Sequence, residues 1–409
     1  MKVLHTSDWH LGRQLNGRTR YAEFEAFLNW LGETIQTNQV EMLLVAGDIF
    51  DTGTPSNRAQ ELYYRFLDSL GAADCRHVVI VAGNHDSPSF LDAPKTLLRS
   101  RDVHVIGQAS QNPCDDVLVL KNAAGEPELI VCAVPYLRDR DLRHVEAGES
   151  VDDKERKLLT GIRQHYTSIA DFAEQTRQNL NPNIPIIATG HLFTSGGQTI
   201  EGDGVRDLYV GTAAHINASI FAPCVDYVAL GHLHVPQCVN GLDTVRYSGS
   251  PLPMGFGEAK QQKSVCLVQF AHRTATVQTV PVPAFQHLGR IKGNLDTIFE
   301  AIDRLVAADA NVWLEVVYDG AELVGDLREQ LQSRTENTPL EILQIKYPRQ
   351  VNAGLTADDG LDDLKQLDVT EVFERCMQTR GVEAAQQPVL RFAFEEILQC
   401  LQDRDPLSL

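Results

Sequence analysis

The sequence predicts an α/β fold: a four-layer α/β/β/α sandwich followed by a small α+β domain and C-terminal helices. Three observations carry this. Five short apolar runs each end in Asp, Asn or His, as buried strands do when they deliver a polar residue to a sheet edge. Amphipathic helical segments alternate with the first of them. Turn-separated β runs then supply enough further strands for a second sheet, and two sheets packed together with helices outside absorb them all.

The opening strand, Lys2 to Thr6, ends in Ser7-Asp8-Trp9-His10. Residues 21 to 37 place Phe24, Phe27, Leu28, Leu31 and Ile35 on one face, which reads as a helix covering the sheet. Met42 to Ala46 is a second strand, closed by Gly47-Asp48-Ile49-Phe50-Asp51. A helix over 57 to 70 follows, with Ser56 as N-cap and Gly71 as its stop. Strand 78 to 82 then delivers Gly83-Asn84-His85-Asp86. Val117 to Leu120 and Leu129 to Val134 flank a turn of Asn122, Gly125 and Pro127 and read as a hairpin.

A long helix over 152 to 180 is expected to bury Leu158, Ile162, Tyr166, Ile169 and Phe172. Strand 184 to 189 leads to Gly190-His191, and the glycine-rich stretch 195 to 204 beyond it reads as a mobile loop facing substrate. Strand 225 to 230 leads to Gly231-His232-Leu233-His234. Further hairpins turn at Asn240-Gly241 and near His272-Arg273. Pro281-Val282-Pro283 marks a boundary.

The domains expected are therefore a main body over 1–280, an α+β capping domain over 284–348, an acidic linker over 349–368 and a helical segment over 369–403. The capping domain reads strand, helix, strand, helix (322 to 333), strand. Helices near 369 to 379 and 388 to 402 are too few to build a core alone, so they are expected to bind a partner by laying apolar faces in a groove.

Ligands of open α/β sheets bind outside the carboxyl ends of the strands. Five strand exits there would bring together Asp8, His10, Asp48, Asn84, His191, His232 and His234. Seven such donors exceed one ion and suit two cations about 3.5 to 4 Å apart, as in two-metal hydrolytic sites. Carboxylate and amide oxygens suit Mn2+ or Mg2+, whereas imidazoles suit Zn2+ or Fe2+, so ligand chemistry leaves the metal open.

Composition narrows the classes further. A net charge of −19 argues against a simple basic nucleic-acid-binding module. Arg13, Arg18 and Arg20, and Arg138, Arg140 and Arg143, form local clusters that could track a phosphate backbone. Eight cysteines without a C-x-x-C pair support neither a zinc ribbon nor a disulfide framework. No run has membrane-helix length and no signal peptide is seen, so a cytoplasmic protein without membrane contact is expected.

Asp8-x-His10, Gly47-Asp48-x-x-Asp51, Gly83-Asn84-His85-Asp86, Gly190-His191 and Gly231-His232-x-His234, in that order, resemble the calcineurin-like metallophosphoesterases. His5 to Gly12, Val205 to Thr212 and Val245 to Pro253 are similar to a DNA-nuclease branch of that superfamily. The resemblance implies Mn2+ as the working metal. It assigns one ion to Asp8, His10, Asp48 and His234, and the other to Asp48, Asn84, His191 and His232. His85 is left to protonate the leaving oxygen or stabilise charge on the phosphate, with Asp51 orienting its ring. The implied substrates are double-stranded DNA ends and hairpins. The implied partner is an ATPase subunit held by the C-terminal helices, through which alone ATP would enter, in a heterotetramer built on a homodimer of this chain with contacts near 57 to 70 and 87 to 100. The alternative within the superfamily is a small-molecule phosphodiesterase or phosphomonoesterase.

Overall fold

The computed structural model describes residues 1–71, 75–142, 150–199, 216–320 and 324–347, with scattered positions between 373 and 394. In chain order the main elements are β1 (Lys2–Thr6), α1 (Tyr21–Thr37), β2 (Met42–Ala46), α2 (Asn57–Leu70), β3 (His77–Val81), β4 (Val103–Ile106), β5 (Val117–Lys121), β6 (Pro127–Cys132), α3 (Val151–Leu180), β7 (Ile186–His191), β8 (Tyr227–Gly231), β9 (Gln237–Val239), β10 (Leu242–Tyr247), β11 (Ser264–Ala271) and β12 (Thr274–Pro281). One six-stranded sheet runs β12-β11-β1-β2-β3-β4 and a second runs β9-β10-β8-β7-β6-β5. Parallel pairing at the centre of each, β1–β2–β3–β4 and β6–β7–β8–β10, points those strand ends the same way.

Side-chain alternation along the strands builds the layers. Val3, Met42, Leu44, Val79 and Val81 of the first sheet face Leu129, Val131, Ile187, Tyr227 and Ala229 of the second. The residues between them, Leu4, Leu43, Val45, Val78 and Ile80, face Phe24, Phe27, Leu31, Leu62 and Phe66 of α1 and α2. On the far side, Ile130, Cys132, Ile186 and Ala188 pack on Leu158, Ile162, Tyr166, Ile169 and Ala173 of α3. The four-layer sandwich is thus present. Phe172, expected inside, is exposed instead, because the buried stripe of α3 steps from Ile169 to Ala173, four residues on, and passes it by.

Beyond Pro283 come β13 (His287–Gly293), α4 (Leu295–Ala307), β14 (Val312–Tyr318), α5 (Leu327–Thr335) and β15 (Glu341–Lys346). The expected alternation of strand and helix is there, and all three strands pair in parallel, so the helices are crossovers rather than a segregated layer. Ile298, Ile302, Leu314, Val316, Leu327 and Leu331 form a core separate from that of the sandwich. Leu288 and Trp313 join it to Leu15 and Phe256 of the body.

Met1–Lys346 and Tyr347–Leu409 are separate compact units. In the second, Phe373 and Phe394 stack with ring centroids 4.0 Å apart, which brings together the two stretches expected as helices. The rest of those stretches, the linker 349–368, the 205–212 motif, residues 200–204 of the glycine-rich loop and Arg143 lie outside the described residues, as does the side chain of Arg140. Among the described residues no helix is long and apolar enough to cross a membrane. The six cysteines described are unpaired.

Candidate metal centre

The exits of β1 and β2 continue as hydrogen-bonded partners after both strands end: Asp8 donates its N–H to the Gly47 carbonyl (2.9 Å) and His10 to that of Asp48 (3.0 Å). Gly47, at φ +94°, makes the turn that allows this. Asp8, His10, Asp48 and His232 also carry positive φ (54°, 49°, 51° and 97°). Non-glycine residues hold such angles at a cost of about 1–3 kcal/mol each, and the cost tends to collect where a site demands fixed donors. The second sheet reaches the same place at Gly231, whose Cα stands so close to the Ala46 carbonyl that an added Cβ would lie 1.8 Å from it.

All seven predicted donors meet there. Ligand atoms of Asp8, His10 and His234 lie within 4.8 Å of one another, as do those of Asp8, Asp48 and His191. His10 Nε2 is 3.2 Å from His234 Nε2 and 3.6 Å from Asp48 Oδ2. His191 Nε2 is 3.0 Å from Asn84 Oδ1 and 3.3 Å from Asp48 Oδ2. The His232 ring stands 5.4 Å, centroid to centroid, from that of His191. Asp48 thus borders both groups.

The residues fit a pair of cations. His191 Nδ1 faces the Ala46 carbonyl at 3.0 Å, and a carbonyl can only accept, so that nitrogen bears the proton and Nε2 turns its lone pair toward two oxygens. Without a cation, a second proton must fill that gap. Burial alone would lower His191, but the Asp48 charge outweighs it and pushes the imidazole up to about 9. The same charge on His191 holds Asp48 well below the usual carboxylate range against the effect of burial. Burial pushes Asp8 up to about 7 despite His191, with the Asp48 charge adding to the rise. His232 Nε2 is buried without a hydrogen-bond partner, and burial lowers that ring to about 3, which keeps it neutral and able to ligate.

His85 stands beside this group, its ring 4.8 Å from that of His10, and its N–H donates to Asp48 Oδ1 (2.9 Å). Its Nδ1 lies 2.7 Å from the Asp51 main-chain carbonyl. Asp51 therefore meets His85 through its backbone. Its carboxylate, expected on that ring, is directed instead to His10 Nδ1 and Arg13, each at 3.3 Å, because Leu11 anchors the loop at Asp51 N and turns the side chain back toward β1. Asp86 accepts N–H bonds from Ile49, Phe50 and Gly83 (3.1, 3.0 and 2.8 Å) and ties the loops together without facing the centre.

The arginine clusters divide. Arg20 is buried, paired with Glu23 and bonded to the Pro253 carbonyl, so it is a structural residue rather than a phosphate contact. Arg18 pairs with Glu341 of the small sheet. Arg13 and Arg138 remain near the centre, the latter donating to the Asp86 carbonyl (3.3 Å).

Sequence reasoning missed the support behind the donors. Ser7 Oγ bridges Asp8 Oδ2 (2.5 Å) and Ser248 Oγ (2.8 Å). Glu258 and Lys263 form a buried pair next to His234. Only proximity to the Ser248-Gly249-Ser250-Pro251 turn could have pointed to them.

A fold and a centre of this kind define a class. Residues 1–236 match the calcineurin-like phosphoesterase family, and residues 284–380 match the domain described as type 5 capsule protein repressor C-terminal domain. The chain belongs to the calcineurin-like phosphoesterase family, whose fold implies a bound divalent metal. Its relatives share one description, the SbcD component of the nuclease SbcCD. That of Escherichia coli K12 is 37% identical over 404 residues, covering 98% of each chain. That of Rhodobacter capsulatus is 34% identical over 363 residues (85% of this chain, 88% of the relative), and that of Bacillus subtilis 34% over 321 residues (77% and 78%).

Proposed function

We propose that this chain is the nuclease component of an SbcCD-type complex: a divalent-metal phosphodiesterase that cuts double-stranded DNA ends and hairpins in repair, recombination and replication. The observation that carries the reading is the meeting of seven donors from five strand exits around Asp48. One cation would be held by Asp8, His10, Asp48 and His234, the other by Asp48, Asn84, His191 and His232, with Asp48 giving one oxygen to each. Mn2+ is the proposed metal, with Mg2+ as its substitute. When bound, such a pair activates water for attack on phosphorus and offsets charge gathering on the phosphate.

The chain's own residues do the rest. The Asp51 carbonyl keeps the His85 proton on Nδ1, so Nε2 is the atom that can carry a second proton. As the bond from phosphorus to the leaving oxygen breaks, His85 Nε2 hands that proton over, and the leaving group departs as a neutral hydroxyl. Asp51 acts by fixing His10 through its carboxylate and His85 through its carbonyl. Arg13 and Arg138, flanking the centre, are proposed to meet phosphates on either side of the cut.

Residues 1–280 form the nuclease domain and 284–348 a capping domain over the DNA path. The linker 349–368 carries the helical segment 369–403 to an SbcC-like ATPase, in a cytoplasmic heterotetramer built on a homodimer of this chain. Purified protein with Mn2+ and the ATPase subunit should nick or resect a hairpin-ended duplex. An intact duplex, together with rapid turnover of a small phosphomonoester, would replace this reading with a small-molecule phosphoesterase.

A further inference from the structure

Behind His234, on the side away from the other donors, stands a carboxylate that the family motifs do not include. Glu258 is fully buried, and its Oε1 lies 3.9 Å from His234 Nδ1. That distance is a charge contact rather than a hydrogen bond. The other oxygen, Oε2, accepts the Met254 N–H (3.1 Å) and the ammonium of Lys263. Lys263, itself buried, also donates to the His234 carbonyl (2.9 Å) and to Ser250 Oγ (3.0 Å). The Ser250 N–H returns to the same carbonyl at 3.2 Å. One ion pair therefore grips His234 at its main chain and faces its ring.

Burying two opposite charges costs several kcal/mol per ion before their attraction is counted, and apolar residues of equal volume often hold a loop as well or better. Loop closure alone is a poor reason for this pair. Its position supplies another. His10 Nε2 and His234 Nε2 face each other at 3.2 Å, so each ring can ligate a shared cation only with its proton on Nδ1. His10 has the Asp51 carboxylate at its Nδ1, 3.3 Å away, and Glu258 takes the same place for His234.

We infer that Glu258 is a positioning residue for the metal held by His10 and His234: its negative charge keeps the His234 proton on Nδ1 and the Nε2 lone pair on the cation, while Lys263 fixes Glu258 and the His234 backbone together. This rests on the centre being a two-metal site. The supports are unequal across that site, since His191 is oriented by a neutral carbonyl. Loss of Glu258 is accordingly expected to weaken one ion and spare the other.

The test measures Mn2+ binding to the full chain by calorimetry and electron paramagnetic resonance. Glu258→Gln alone would strand the Lys263 charge, so the variant used combines Glu258→Gln with Lys263→Met. Wild type should bind two Mn2+; the variant should bind one of them 10–100-fold more weakly, with the second within about twofold of wild type. Equal weakening of both ions, or unchanged affinity for both, overturns the inference. Wild type binding no Mn2+ overturns the two-metal reading itself and the inference with it. A second measurement needs no variant: 15N NMR of the metal-free protein should find His234 protonated on Nδ1, and an Nε2–H tautomer would overturn the proposal.

Discussion

Gly231→Ala adds a single methyl group where the two sheets touch. The new Cβ would stand 1.8 Å from the Ala46 carbonyl oxygen and 2.9 Å from His191 Nδ1, whereas real Cβ contacts stay beyond 3.0 Å. The ends of β2 and β8 must therefore part by more than about 1 Å, in a region where overpacking costs about 1–3 kcal/mol. Ala46 O is also the acceptor that fixes the His191 proton, at 3.0 Å, so the same shift releases a proposed metal ligand. A displacement of about 1 Å in a reacting site costs about 100-fold in rate. The expected result is cleavage down roughly 100-fold, with stability lowered by about 1–3 kcal/mol in denaturant titrations. Gly32→Ala is the control: it lies in α1 with nothing within 4 Å, and it should raise stability by about 1 kcal/mol without touching cleavage. If Gly231→Ala cleaves at the wild-type rate, the close approach of the sheets does not set the geometry of the centre.

His85→Ala should retain its Mn2+ yet lose about 100- to 10,000-fold in cleavage, measured by metal analysis and nuclease assay on one preparation. Normal cleavage would remove His85 from the proton transfer. Asp48→Ala takes the carboxylate bordering both groups of donors, so metal analysis should find both ions lost; retention of either at full occupancy would show that Asp48 is not shared. His5 is fully buried between the sheets beside the Tyr227 hydroxyl (3.0 Å), and burial lowers it to about 3. The unfolded chain takes up that proton near 6.5 and the folded chain does not until about 3, so the contribution of neutral His5 is whole above 6.5 and is lost as pH falls toward 3. Between pH 7.5 and 5 this amounts to about 2 kcal/mol. His5→Gln should flatten the stability profile by that amount, and parallel profiles for wild type and variant would refute it.

The parts of the molecule legible in sequence are those where one physical signal acts alone. Met42 to Ala46 must be a buried strand because nothing polar interrupts it, and Asp48 just beyond must lie at a sheet edge; the same logic places Asn84, His191 and His232. Phe172 misleads because an apolar residue next to a buried stripe fits the helical period about as well as the small Ala173 that takes its place. Arg20 reads as a surface cation, yet burial with Glu23 is a choice of partner that spacing does not reveal. Asp51 lies in the loop around His85, but which of its oxygens faces that ring depends on backbone direction, which composition does not carry. Glu258 and Lys263 are invisible for a related reason. Charged residues in an irregular segment usually face solvent, and only the fold reveals that this segment is threaded behind His234.

The most direct test is diffraction from a Mn2+-soaked crystal at the manganese absorption edge. Two anomalous peaks should appear, one contacted by Asp8, His10, Asp48 and His234 and the other by Asp48, Asn84, His191 and His232. A single peak, or peaks away from these residues, would contradict the shared centre.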